Sequence, residues 1–488
     1  MKSVLSALTL LSITAFVTST GLSAYAQSDS EVGEPLPLLE VDIEAGSDAE
    51  MEEPAEAAET EAPTAQDFYN LGVERYEEGN YFSAIDHFGY ALDIDPNYDA
   101  AYFYRALAYE QVNDFDAALA SYSAAVETNP DYARAYLGRG ALYYELGEYF
   151  QALDDFDRAI SARPEYAQAY VYRGLTEAEL GNYEIAIADY GLAIQFAPDY
   201  APAYMHRGLA HKSLGNLEEA VVDFTSAIER QDDFGEAYLN RGVTFYSLGS
   251  YRAALDDLNT AVRLDSENIE ARYNRSFVLA AMGRPNAAID DLNTIIQLRP
   301  TYTDAYLSRG SIYANAGEYD VAISDYSKVI DLEPDAAAAY YLRGKARVMA
   351  DDEFGAISDY NDALAISPNY AEAYKGRGDA NALLGDLQSA LFDYATAIEI
   401  DPDYQGAYAA RGRAYYELGN ASAAYADFSR VIAADGLNPD VYYYRGISRA
   451  TLGDMVGARA DLTRAGELYL DASEPDGYRF VVDALGRL

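Results

Sequence analysis

Histidine, the side chain most often used as a general base, occurs only at positions 87, 206 and 211 of the 488 residues, and cysteine does not occur at all. Thiol catalysis, disulfides, Cys-ligated zinc and a lipid-anchored cysteine are thereby excluded. His206 and His211 are five residues apart, which on a helix sets them about 140° apart around the axis, a poor arrangement for sharing a metal. No Gly-rich phosphate loop, nucleophile elbow or isolated pair of acids stands outside the general pattern of the chain. The sequence therefore reads as non-catalytic, with no cofactor and no metal. The charged side chains that do recur at fixed spacing are Arg and Asp, whose paired chemistry is bidentate hydrogen bonding between guanidinium and carboxylate.

The spacing of those residues leads back to the elements that carry them. Tyr-x-x-Arg-Gly starts at Tyr136, Tyr170, Tyr204, Tyr238, Tyr306, Tyr374 and Tyr408, and every interval is a multiple of 34. Laid out on that grid, twelve units of 34 residues run from 65 to 472 without insertion or deletion. Each holds two amphipathic runs of about 13 residues, split by a Gly such as Gly147, Gly181 or Gly215 that suits a left-handed helix end. A Pro such as Pro164 closes the second run in most units. One such helical pair cannot bury its apolar stripe alone, so neighbours must stack into a continuous core. Residues 473–488 form one more amphipathic run, with Tyr478, Val481, Val482 and Leu485 on one side, read as a capping helix.

In unit 3, Tyr136, Gly140, Tyr143, Gly147, Tyr149, Ala152, Phe156, Ala159 and Pro164 fall at slots 4, 8, 11, 15, 17, 20, 24, 27 and 32. These slots resemble the signature of the tetratricopeptide repeat. Slot 20 is Ala in all twelve units, and slot 24 is always Phe, Tyr or Leu. The resemblance covers about five-sixths of the chain. It implies an all-α, right-handed superhelical solenoid of twelve helix-turn-helix repeats. Departures from the family pattern are Tyr at slot 4, where Trp is frequent, and Arg at slot 7, where Leu is usual.

That Arg stands at slot 7 in eleven of twelve units, and Asp stands at slot 23 in ten. Arg139, Arg173, Arg207, Arg241 and Arg309 with Asp155, Asp189, Asp223, Asp257 and Asp325 are read as a structural ladder of ion pairs. Pairing within a unit and pairing between neighbours both fit the spacing. A carboxylate-binding comb is the functional alternative, but eleven identical rungs suit an internal spine better than a selective site.

The resemblance also implies that slots 5, 9 and 12 of the first helices face an inner groove. Read this way, the partner-binding candidates are Phe103, Tyr144, Met205, Lys212, Tyr246, Tyr273, Phe277, Tyr341, Lys345, Lys375, Arg413, Tyr416 and Tyr443. The floor is mainly apolar and aromatic, while the flanking slots 2 and 13 are strongly acidic, Glu145, Glu179 and Glu270 among them. Lys345, Lys375 and Arg413 form the expected anchor for an acidic group. The Lys-Asn carboxylate clamp of chaperone-binding relatives is not carried over, because Lys375 is followed at slot 9 by Asp379.

Totals of 81 acidic and 34 basic residues leave a net charge of −47. That excludes nucleic acid as a default partner and disfavours an anionic membrane surface. Lys2, the apolar stretch from Val4 to Val17, and Ala24-Tyr25-Ala26 read as an export signal over residues 1–26. Residues 27–64 carry acids and Pro without any Lys or Arg and read as a disordered acidic linker. The expectation is an exported, non-catalytic scaffold in the periplasm or envelope of a Gram-negative bacterium. It binds a peptide or helix of a protein partner, and no transmembrane segment remains after cleavage. A glycan or cell-wall binder with stacking Tyr walls, and a spacer or self-assembling solenoid, are the alternatives.

Overall fold

A computed structural model describes residues 62–488. The expected export signal and nearly all of the acidic linker lie outside the described residues. What is described is all-helical: twelve antiparallel pairs, from Ala65–Glu77 with Tyr81–Ile94 to Pro439–Thr451 with Met455–Asp471, followed by Pro475–Leu485. The described residues divide into two compact units, 62–278 and 279–488.

The local chemistry of one pair explains the rest. Ala133–Glu145 is stopped by Gly147, whose φ of +76° only glycine adopts without strain. The turn is closed by hydrogen bonds from Gly147 N to Tyr144 O (3.0 Å) and from Glu148 N to Tyr143 O (2.8 Å). Tyr149–Ala162 then runs back against its partner. Slot 8 is the point of closest approach. A Cβ at Gly140 would sit 2.7 Å from Phe156 Cε1, so the slot 24 ring fills the space that the glycine leaves. The slot 20 alanines, Ala84 to Ala458, are all completely buried, which lets the two helices of each pair meet closely.

Within each unit, second helices also pack on the first helix of the next pair, and first helices of successive pairs touch one another, as Ala133–Glu145 touches Ala167–Glu179 and Ala337–Met349 touches Ala371–Leu383. Second helices are not packed on one another in this way. The first helices thus line the inner side of each stack.

The last helix differs from its expected packing. Val481 and Ala484 are buried against Leu462, Ala465 and Tyr469, and Leu485 is half-buried. Val482, expected on the same face, is 48% exposed, and Phe480 is more exposed still. A helix turns about 100° per residue, so seating Val481 and Ala484 on the stack swings Val482 outward. Among the described residues, no helix is long and apolar enough to cross a membrane.

Candidate functional site

In units 3–6 and 8–12 the slot 7 arginine grips the slot 23 aspartate of its own unit through two parallel hydrogen bonds, while Arg105 donates to Ser121, which stands at slot 23 of unit 2. Arg139 reaches Asp155 at 2.7 and 2.8 Å, Arg173 reaches Asp189 at 2.6 and 2.9 Å, and Arg207 reaches Asp223 at 2.6 and 2.9 Å. Arg241 holds Asp257 at 2.7 and 2.8 Å, and Arg309 holds Asp325 at 2.6 and 2.9 Å. The third face of the guanidinium points to the preceding unit. There Arg139 meets Ser123 (2.9 Å), Arg173 meets Asp157 (2.6 Å), Arg241 meets Thr225 (2.9 Å) and Arg309 meets Asn293 (2.5 Å). The geometry is therefore both within and between units. Arg207 faces Gly191 at that place, and no side chain is there to accept its third bond. The slot 4 tyrosine ring completes the arrangement, lying 5.8 Å under Arg139 and 5.4 Å under Arg173. Burial pushes the Asp155 and Asp189 carboxyls above their ordinary range, and the paired guanidiniums act in the opposite direction. These Asp side chains are almost inaccessible, which separates them from the inner face.

The inner face is less uniform than slot numbers imply. In residues 62–278, Phe103 and Met205 are completely buried and Tyr144 is 8% exposed. Phe103 and Met205 are core side chains, not groove lining, and Tyr144 keeps only a small exposed area. Phe103 is enclosed by the rings of Tyr104, Tyr122 and Tyr132 with Arg134 above it, and Met205 packs among Tyr204, Phe224 and Ala237. Tyr246, Tyr273 and Phe277 remain half-exposed, the last two edge to face at 4.8 Å. Lys212 donates to Asn240 (3.1 Å), and burial lowers its ammonium to about 8, against the pull of Glu270.

In residues 279–488, Tyr341, Tyr416 and Tyr443 are half-exposed. Tyr341 packs against Tyr370, and the other two pack against Tyr444. The expected anchor for an acidic group is corrected here. Lys375 is bonded to Asp379 at 2.6 Å one turn away, and Arg413 is bonded to Glu417 at 3.2 Å. Lys345 lies 6.0 Å over the Tyr341 ring, and burial lowers it to about 8 with Lys375 adding repulsion. Two of the three cations are thus already neutralised within their own helices. Slot analysis could not see this, because i to i+4 partners at slots 9 and 13 vary from unit to unit.

Sequence reasoning also missed Glu110 and Tyr122. Glu110 was visible as the sole acid at slot 12, but its burial was not. Burial raises its carboxyl to about 7, with Glu145 contributing and Tyr122 opposing. His206 is half-buried against the Tyr190 ring, and desolvation lowers it to about 4. Among the described residues, no group of three or more His, Asp or Glu is placed to hold a metal ion.

Helical pairs of fixed length, stacked through an Ala-aromatic seam, define an all-α repeat protein. Comparison with known families gives the class a name. Models of the tetratricopeptide repeat match residues 111–147, 174–215, 244–283 and 310–349; 133–166 and 201–234; and 273–329, 355–404 and 409–472. The chain belongs to the tetratricopeptide-repeat family. No curated protein matches it by sequence. Solved structures with similarity include YrrB, described as a TPR protein with an unusual peptide-binding site. It is 26% identical over 38% of this chain and 95% of its own, with a TM-score of 0.34. A tetratricopeptide repeat protein from Parabacteroides merdae is 20% identical over 51% of this chain and 98% of its own, with a TM-score of 0.41. Yeast Tom70 is 14% identical over 87% and 96%, with a TM-score of 0.42.

Proposed function

We propose that the chain is a non-catalytic protein-interaction scaffold that takes an extended segment or helix of a partner on the inner face of its first helices. Exported to the periplasm or envelope of a Gram-negative bacterium, it serves there as a docking platform. One observation carries this reading. The seam of slots 8, 20 and 24 closes the core by itself, yet Tyr246, Phe277, Tyr341, Tyr416 and Tyr443 remain partly open to solvent along the first helices. Rigid aromatic side chains of this kind offer large contact area at a low cost in rotamer entropy. Strong acidity over the remaining surface disfavours acidic partners and steers basic ones.

The test is site-specific photo-crosslinking in an envelope extract. A benzophenone side chain is placed at Tyr246 or Tyr416 on first helices, and at Phe150 or Phe392, which are 77% and 68% exposed on second helices. Discrete crosslinked proteins are expected from the first pair of positions only. Equal or exclusive crosslinking from the second pair overturns the reading.

A further inference from the structure

Among the described residues, most of the buried slot 23 aspartates are answered by a guanidinium. A partly buried glutamate of unit 2 is not. Glu110, at slot 12 of unit 2, has its Oε1 buried without a hydrogen bond. Beside it is the hydroxyl of Tyr122, a residue with no exposed surface, whose own oxygen also makes no well-formed hydrogen bond. Tyr122 reaches this place because slot 6 of the next unit is Gly138. A Cβ there would lie 2.8 Å from the phenol oxygen. Tyr144, 8% exposed, brings a second buried hydroxyl without a well-formed hydrogen bond, beside Glu145 and Glu179. Those two glutamates are more open to solvent and stand at the mouth of the cluster.

The electrostatics are one-signed. Glu145 raises Glu110, and Glu110 and Glu145 both act on Tyr122 and Tyr172. The groups that act on Glu110, Tyr122 and Tyr144 are carboxyls and phenols. Uncompensated buried acceptors and phenols cost stability, and a cation brought by a ligand removes that cost.

We propose that the first helices of units 2 to 4 form a receptor for one arginine side chain of the partner segment, with Glu110 at its base, Tyr144 as a wall and Glu145 and Glu179 at its mouth. The inference rests on the scaffold reading and adds the chemistry of its ligand. Guanidinium fits better than ammonium for a stated reason. It is planar, donates in several directions at once, and sheds water more readily. The chain itself stacks guanidinium over tyrosine at successive slot 7 positions, as in Arg139 over Tyr136. Binding requires ionised Glu110, facing Tyr122 and Glu145, so affinity falls as pH is lowered through 7.

The test is calorimetric titration of the full chain with a Gly/Ser nonapeptide carrying one central arginine. The same peptide with citrulline or lysine, and free L-arginine, are the comparisons. Wild type is expected to bind the arginine peptide at least tenfold more tightly than the citrulline peptide, and more tightly than the lysine peptide or free arginine. Glu110→Gln and Tyr144→Phe should each weaken the arginine peptide about tenfold, while Glu372→Gln, outside the cluster, leaves it unchanged. Equal binding of arginine and citrulline peptides, or no effect of Glu110→Gln, overturns the proposal. Free arginine binding as tightly as the peptide overturns its protein partner. Crosslinking from Tyr246 and Tyr416 does not depend on this cluster, so a scaffold that still captures partners while these titrations fail isolates the failure to the arginine site.

Discussion

At the scale of the residue, the arginine at slot 7 is the departure that sets this chain apart, and its geometry says why it is tolerated. One guanidinium satisfies a buried aspartate of its own unit, a polar side chain of the preceding unit and a tyrosine face. Removing it strands the acid. Arg207→Leu should cost about 3 kcal/mol in urea melts, because it leaves Asp223 buried and unpaired. Arg207→Leu/Asp223→Leu should recover all but about 1 kcal/mol of that loss. Equal and near-zero costs for both variants would contradict a structural role. Glu110 makes a second prediction at this scale. Its carboxyl is raised to about 7 from the ordinary 4.5. A raised carboxyl destabilises the fold where it is ionised, so stability is gained as pH falls from about 7 towards 4.5. Glu110→Gln should therefore be more stable than wild type at pH 8, by roughly 3 kcal/mol for a shift of that size. The gap should narrow steadily below pH 7. A gap independent of pH would sink this assignment. His206 acts in the opposite sense below about 6.5, which is why the difference between variants is the quantity to follow.

The element scale is where period and packing part company. Arg at slot 7 and Asp at slot 23 were legible because both recur as single residue types, and their separation of 16 residues put them on facing helices. The third partner was not legible, since slot 25 alternates among Ser123, Asp157, Thr225 and Asn293. Slots 5 and 12 share one face by helical spacing. Depth on that face was not legible, because Phe103 sinks beneath Arg134 while Tyr246 at the same kind of position stays half-exposed. The final helix shows the same limit: its amphipathicity was evident, but the side-on seating that turns Val482 outward depends on the shape of the surface it covers. Deleting residues 473–488 should raise hydrogen exchange in Pro439–Thr451 and Met455–Asp471 by uncovering Leu462, Ala465 and Tyr469. Helices several pairs away, such as Thr303–Asn315, should keep their protection, since each repeat depends chiefly on its neighbours. A uniform rise along the chain would contradict that local coupling.

For the whole molecule, the 81 acidic side chains outnumber the 34 basic ones and are divided by use. Among the described residues, some are locked into buried Arg-Asp pairs, two neutralise Lys375 and Arg413, and many others are open to solvent. On the proposed reading, the aromatic side chains of the first helices and the acidic cluster of units 2 to 4 suit a partner that carries apolar and cationic side chains. The most direct measurement is quantitative affinity capture from envelope extract, comparing wild type with Tyr246→Ser/Phe277→Ser after circular dichroism and thermal melts show both folded. The scaffold account predicts that specific captured proteins fall at least tenfold with the double variant. Capture of the same proteins in the same amounts by both forms would contradict it.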